Sequence, residues 1–103
     1  MTAKVKVAER SALARGCLLA ANVEGKRIVV FDVEGTLHAT SAVCAHQGGP
    51  LDQGLFEGSV VTCPWHAWQF DVRTGEATYD PGRCIATYPV EVVGNDILVE
   101  VSS

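Results

Sequence analysis

The chain has 103 residues, 48% of them hydrophobic and 19% charged, with a formal net charge of −4 and a pI near 5.2. That is enough apolar material for one small domain with a modest core, and the acidic balance argues against binding nucleic acid or an anionic membrane. No apolar run approaches the ~20 residues that span a bilayer, and Lys4, Lys6, Glu9 and Arg10 interrupt any N-terminal export signal, so a cytoplasmic protein is expected.

In chain order, Lys4-Val5-Lys6-Val7 alternates charged and apolar residues and predicts a strand. Residues 9–16 read as a polar connector with at most one helical turn. Strands are predicted over 17–23, 27–33 and 36–43, joined by Glu24-Gly25 and Glu34-Gly35, two-residue links in which glycine tolerates positive φ. His38 is out of phase with Leu37 and Ala39, which predicts a solvated strand histidine. Cys17 opens an apolar run and Cys84 precedes Ile85, so both are expected as small buried hydrophobes. Short strands follow at 59–62 and 68–72, then a turn at 73–76 and a group of turn formers at 79–83. Residues 86–93 and 96–101 are expected to form a hairpin about Gly94-Asn95. Many short strands at this spacing predict an all-β sandwich or barrel, and no repeat or linker divides the chain.

Between those strands the chain reads Cys44-Ala45-His46, then sixteen residues, then Cys63-Pro64-Trp65-His66. Each half offers a thiolate and an imidazole, a ligand set that suits iron or zinc and suits magnesium or calcium poorly. Gln47-Gly48-Gly49-Pro50-Leu51 and Pro64 give both halves the composition of loops. A single zinc would take all four ligands and close the site as a structural centre. A [2Fe–2S] cluster would take both cysteines on one iron and both histidines on the other. Zinc sites usually pair cysteine with cysteine in a knuckle, whereas here each loop mixes one of each.

Those ligands, together with Gly48-Gly49-Pro50-Leu51 after the first pair and Trp68-Gln69-Phe70-Asp71 after the second, resemble a Rieske ferredoxin, and the likeness runs over nearly the whole chain. The resemblance implies one [2Fe–2S] cluster held by Cys44, His46, Cys63 and His66. It implies the Rieske fold: a basal antiparallel β-barrel or sandwich from the N- and C-terminal strands, with residues 43–84 inserted as a cluster-binding lobe, all within a single domain over 1–103. A proline-containing loop at Pro81 and Gly82 would cover the cluster. With neutral imidazoles, two ferric ions balance two sulfides and two thiolates, so reduction leaves a single negative charge, and histidine ligation raises the potential above that of an all-cysteine cluster. The electron should reside on the histidine-ligated iron, making His46 and His66 its exit. High-potential relatives carry a cysteine in each loop and hydroxyl donors after the second histidine. Gly49, Trp65, Trp68 and Phe70 stand at those positions here, so a potential near the low end of the Rieske range, roughly −150 mV, is expected.

What the resemblance implies about role is a carrier. The related oxygenases need a second iron on two histidines and a carboxylate, and only His38 is left over here; no Gly-x-Gly-x-x-Gly stretch is present to bind a dinucleotide. A monomeric one-electron relay is expected, with a flavoprotein reductase as donor and a terminal oxygenase or reductase as acceptor. Gln47, Gly48, Gly49, Pro50, Pro64, Trp65 and Pro81 would form the docking rim. Two alternatives stand beside it: a small Rieske subunit of a larger enzyme such as nitrite reductase, and a zinc-stabilised binding module.

Overall fold

The computed structural model describes residues 2–23, 25–42, 50–64, 68–78 and 84–102. Among these it has ten strands: β1 (Thr2–Glu9), β2 (Leu18–Val23), β3 (Lys26–Val33), β4 (Thr36–Ser41), β5 (Leu55–Glu57), β6 (Val60–Thr62), β7 (Gln69–Asp71), β8 (Thr87–Tyr88), β9 (Val90–Val93) and β10 (Asp96–Ser102). Two single 3₁₀ turns, Arg10–Ala12 and Leu51–Gln53, complete the regular structure. All strand pairs are antiparallel. They make three sheets, in the orders β1-β10-β9, β2-β3-β4-β8 and β5-β6-β7. The chain is therefore all-β, as its short alternating segments predict. No helix among the described residues is long and apolar enough to cross a membrane.

Local chemistry explains the hairpins. Val33 pairs with Thr36 across a two-residue link in which Glu34 has φ 52° and Gly35 φ 91°. Positive φ at both central positions matches the right-handed twist of the flanking strands. Among the described residues, Glu34 is the only non-glycine with positive φ, and the turn is held by the Gly35 amide, which donates to Asp32 Oδ1 at 2.8 Å. At the other end of the chain, Val93 pairs with Asp96 about Gly94, whose φ is 63°.

β3 explains how the layers stack. Its run Ile28-Val29-Val30-Phe31 is fully buried, because both faces of the strand are covered. Ile28 and Val30 point into one cluster with Val23, Ala39, Ile97 and Val99, which joins the two large sheets. Val29 and Phe31 point the other way, into a second cluster with Val61 and Phe70 of the small sheet, Val72 just after it and Leu51 of the second 3₁₀ turn. Phe31 meets Phe56 there, with ring centroids 4.8 Å apart and planes at 53°. A strand buried on both faces has no polar side to show there, and residues 28–31 are accordingly an unbroken apolar run.

The strands and cysteines depart from expectation in four places. Residues 86–93 are not one strand: Pro89 separates β8, which pairs with β4, from β9, which pairs with β10. Proline lacks the N–H that would continue a ladder, so the chain changes sheet there. The strand expected over 36–43 ends at Ser41, where the chain leaves for the first loop. β5 and the turn Leu51–Gln53 are additional elements. Cys17 and Cys84 are exposed rather than buried: Cys17 sits in the turn just before β2, and Cys84 lies in a single bridge opposite Glu76.

Candidate metal centre

Three loops leave the small sheet and its neighbour, and each is closed at its stem by a backbone hydrogen bond or bridge. The first, after β4, is closed where the Leu51 amide donates to the Ala42 carbonyl at 2.9 Å. The second, after β6, is closed where the Cys63 amide donates to the Trp68 carbonyl at 2.7 Å. The third follows β7: the Thr78 amide donates to Gln69 O at 3.0 Å, Glu76 bridges Cys84, and the Ile85 amide donates to Gly75 O at 2.8 Å. Stem residues of all three, Ala42, Leu51, Cys63, Ala77 and Ile85, belong to a single apolar cluster with Phe31 and Phe70. The three stems thus share one floor.

Cys63 is part of that floor and is 1% exposed. Leu51 and Phe70 are fully buried beside it in the cluster, and Trp68 packs against the cluster's edge, stacked on Phe70 at a centroid distance of 6.4 Å and an interplanar angle of 28°. A thiol in such surroundings is shielded from water and oxidants. Cys44, His46, Gln47, Gly48, Gly49, Trp65, His66, Pro81 and Gly82 lie outside the described residues. Of the two described rim candidates, Pro50 is half-buried and Pro64 is exposed beside Cys63. Among the described residues, no group of three or more His, Cys, Asp or Glu side chains comes together to hold a metal.

Ion pairs brace the floor from outside. Arg27, at the start of β3, reaches Asp52 in the turn after the first loop, with Nη2 at 3.1 Å from Oδ1, and the Arg27 carbonyl accepts from the Ala42 amide at 3.0 Å. Asp71 of β7 is held by Arg73 through Nε at 3.1 Å and Nη2 at 2.9 Å. That guanidinium holds the Asp71 carboxyl below its ordinary value; burial opposes this, and His38 adds a smaller favourable effect from β4. His38 itself is half-buried opposite Phe31 in the β3–β4 ladder, which leaves it less solvated than its phase in β4 predicts. The Arg27–Asp52 brace was not legible from sequence, since 25 residues separate its partners.

The comparisons with known proteins agree with this layout. The Rieske [2Fe–2S] domain family matches residues 3–89. The ferredoxin component of a naphthalene 1,2-dioxygenase system from Pseudomonas aeruginosa is 38% identical over 88 residues, covering 84% of this chain and 85% of that protein. The ferredoxin of carbazole 1,9a-dioxygenase from Nocardioides aromaticivorans IC177 superposes with a TM-score of 0.86 at 35% identity, covering 93% of this chain and 95% of the other. A chain in the complex of reduced oxygenase and oxidised ferredoxin of carbazole 1,9a-dioxygenase also scores 0.86, at 28% identity over 93% of this chain and 91% of its own. With a buried cysteine on the shared floor of three loops and relatives that are electron-transfer components rather than catalytic ones, the chain belongs to the Rieske [2Fe–2S] family, as one of its ferredoxins.

Proposed function

We propose that Cys44, His46, Cys63 and His66 hold the cluster, and that this chain relays single electrons from a flavoprotein reductase to a terminal oxygenase. The observation that carries the ligand reading is the position of Cys63: fully buried, and at the stem of one of three loops that share a floor. A donor set of two thiolates and two imidazoles from two such loops fits a [2Fe–2S] group, which supplies a one-electron couple when bound. Leu51, Phe70 and Trp68 pack in or against the apolar cluster that contains Cys63 and would keep water from that side of the group. We read residues 43–84 as the cluster-binding lobe of a single domain spanning 1–103.

Two features support a potential near the low end of the Rieske range. Phe70 and Trp68 carry no hydroxyl to donate toward sulfur, and the Cys63 amide is committed to Trp68 O at 2.7 Å. Fewer donors leave added negative charge less stabilised. The acceptor assignment is supported by the relatives, which are ferredoxin components of dioxygenase systems, one of them described in complex with its oxygenase. Docking is proposed on the rim that includes Pro50 and Pro64, in a small contact that releases quickly. A reducing cytoplasm suits a chain whose Cys17 and Cys84 are exposed thiols outside any disulfide, and we propose that it works there as a monomer.

Electron paramagnetic resonance of the dithionite-reduced protein, with its visible spectrum as isolated, tests the reading. A rhombic signal whose average g lies below that of an all-cysteine cluster is expected, and a colourless protein with stoichiometric zinc would overturn it. Cys63→Ser should lose most of the bound iron while Cys17→Ser keeps it; iron analysis of the two purified variants checks this.

A further inference from the structure

Gly54 lies between the stems of the first two loops. On one side it follows the turn Leu51–Gln53 and donates its amide to Leu51 O at 3.0 Å, while the Leu51 amide closes the first loop on Ala42 at 2.9 Å. On the other side it precedes β5, where Leu55 pairs with Thr62, so it falls opposite the peptide that joins Thr62 to Cys63.

Its backbone does not require glycine. With φ −83° and ψ −179°, Gly54 is in an extended conformation open to any residue. What requires glycine is space. A Cβ placed there would overlap the Thr62 carbonyl oxygen and lie 3.0 Å from the Thr62 carbonyl carbon and 3.2 Å from Leu51 O. These are backbone atoms of both stems, so no side-chain rotation relieves the overlap. Thr62 C=O and Cys63 N–H share one planar peptide unit. Tilting that plane moves Cys63 and strains the 2.7 Å bond from its amide to Trp68 O. Gly58, at the far end of the β5–β6 hairpin, is the reverse case: its φ is 61°, but a Cβ there would meet nothing within 4 Å.

We infer that Gly54 is a positioning residue for the cluster. By letting the backbone of the first stem touch the peptide before Cys63, it sets the separation of the two loops that carry the ligands. The inference rests on the assignment of Cys44, His46, Cys63 and His66 as ligands.

The test uses the full chain purified with its cluster, comparing Gly54→Ala and Gly58→Ala with wild type by resonance spectrum, midpoint potential, iron per chain and far-ultraviolet circular dichroism. Gly54→Ala should keep its β-sheet spectrum while its g values and potential shift or its iron is lost. Gly58→Ala should lower the thermal midpoint and leave cluster spectrum and potential at wild-type values. A folded Gly54→Ala protein with wild-type g values, potential and iron would overturn the inference, as would Gly58→Ala shifting them equally. If Gly54→Ala yields no folded protein, Leu55→Ala decides. Leu55 is the exposed neighbour of Gly54 in the same stem, and its truncation leaves the backbone contact intact, so an unchanged spectrum supports the inference and a shifted one refutes it. A wild-type protein without the Rieske signal would instead refute the ligand assignment, whatever the variants show.

Discussion

Asp32 is the only fully buried carboxylate among the described residues, and it ties three stretches of chain together. Arg10 Nη2 donates to its Oδ2 at 2.6 Å, the Gly35 amide donates to Oδ1 at 2.8 Å, and the Gly16 amide adds a further bond. Arg10 also donates through Nη1 to Leu13 O at 2.9 Å, fixing the connector between β1 and β2. Burial pushes the Asp32 carboxyl up; the Gly35 amide, Arg10 and the Gly16 amide together outweigh it and hold the group below its ordinary 3.8. A carboxyl lowered on folding contributes stability that is present above its unfolded value and is lost as pH falls through its folded one. Acid unfolding should therefore draw on Asp32 below about pH 3.8. Asp32→Asn should cost about 3 kcal/mol at neutral pH, since it leaves the partly buried Arg10 charge without its counter-ion. It should also flatten the acid limb of the stability curve; urea unfolding of wild type and variant from pH 7 downward measures both.

Among the elements, β3 couples the two layers. Phe31 is fully buried where β3 meets the small sheet, against Phe56. Phe31→Ala should cost about 3–4 kcal/mol by opening a cavity at this seam, and iron content should fall with it, because the same cluster contains Cys63; denaturant titration and iron analysis of one preparation check both. How much was legible in the sequence also divides by element. The Glu34-Gly35 and Gly94-Asn95 hairpins were legible because a two-residue link with positive φ is a local demand. The break at Pro89 was not, because whether a proline ends a strand or merely edges it depends on which sheet each side joins. β5 was hidden by its length, Leu55-Phe56-Glu57 being too short to show a period. Cys17 and Cys84 read as buried from their apolar neighbours, yet each sits at a turn or an isolated bridge where the chain faces water. At the proposed site, the spacing of Cys44, His46, Cys63 and His66 is what suggests the ligand chemistry, and of the four only Cys63 lies among the described residues. The need for glycine at position 54 comes from a carbonyl eight residues away, and nothing next to it in sequence signals this.

At the scale of the molecule, charge is uneven. Residues 43–84 contain Asp52, Glu57, Asp71, Glu76 and Asp80 against Arg73 and Arg83, so this segment carries most of the net −4. Two of those acids already have partners, Arg27 and Arg73; Glu57 and Glu76 are exposed. Such a field steers a basic partner and is screened over about 8 Å at physiological salt. Stopped-flow reduction by the donor should slow as ionic strength rises through roughly 0.15 M; a flat profile would mean that apolar contact alone governs encounter. The connection of the segment to the rest is equally asymmetric. It departs after β4 and returns into β8, and these two strands are hydrogen-bonded neighbours, Thr40 facing Thr87 and the Ser41 amide donating to Ala86 O at 2.8 Å. Entrance and exit are one strand spacing apart, about 4.8 Å. An excursion tethered this way has its ends already joined by the sheet, so the entropy of closing it changes only slowly with length. Inserts of different size could hang from the same doorway while the strands behind it keep their register, which makes this part of the molecule a mount on which the proposed cluster-binding lobe can vary.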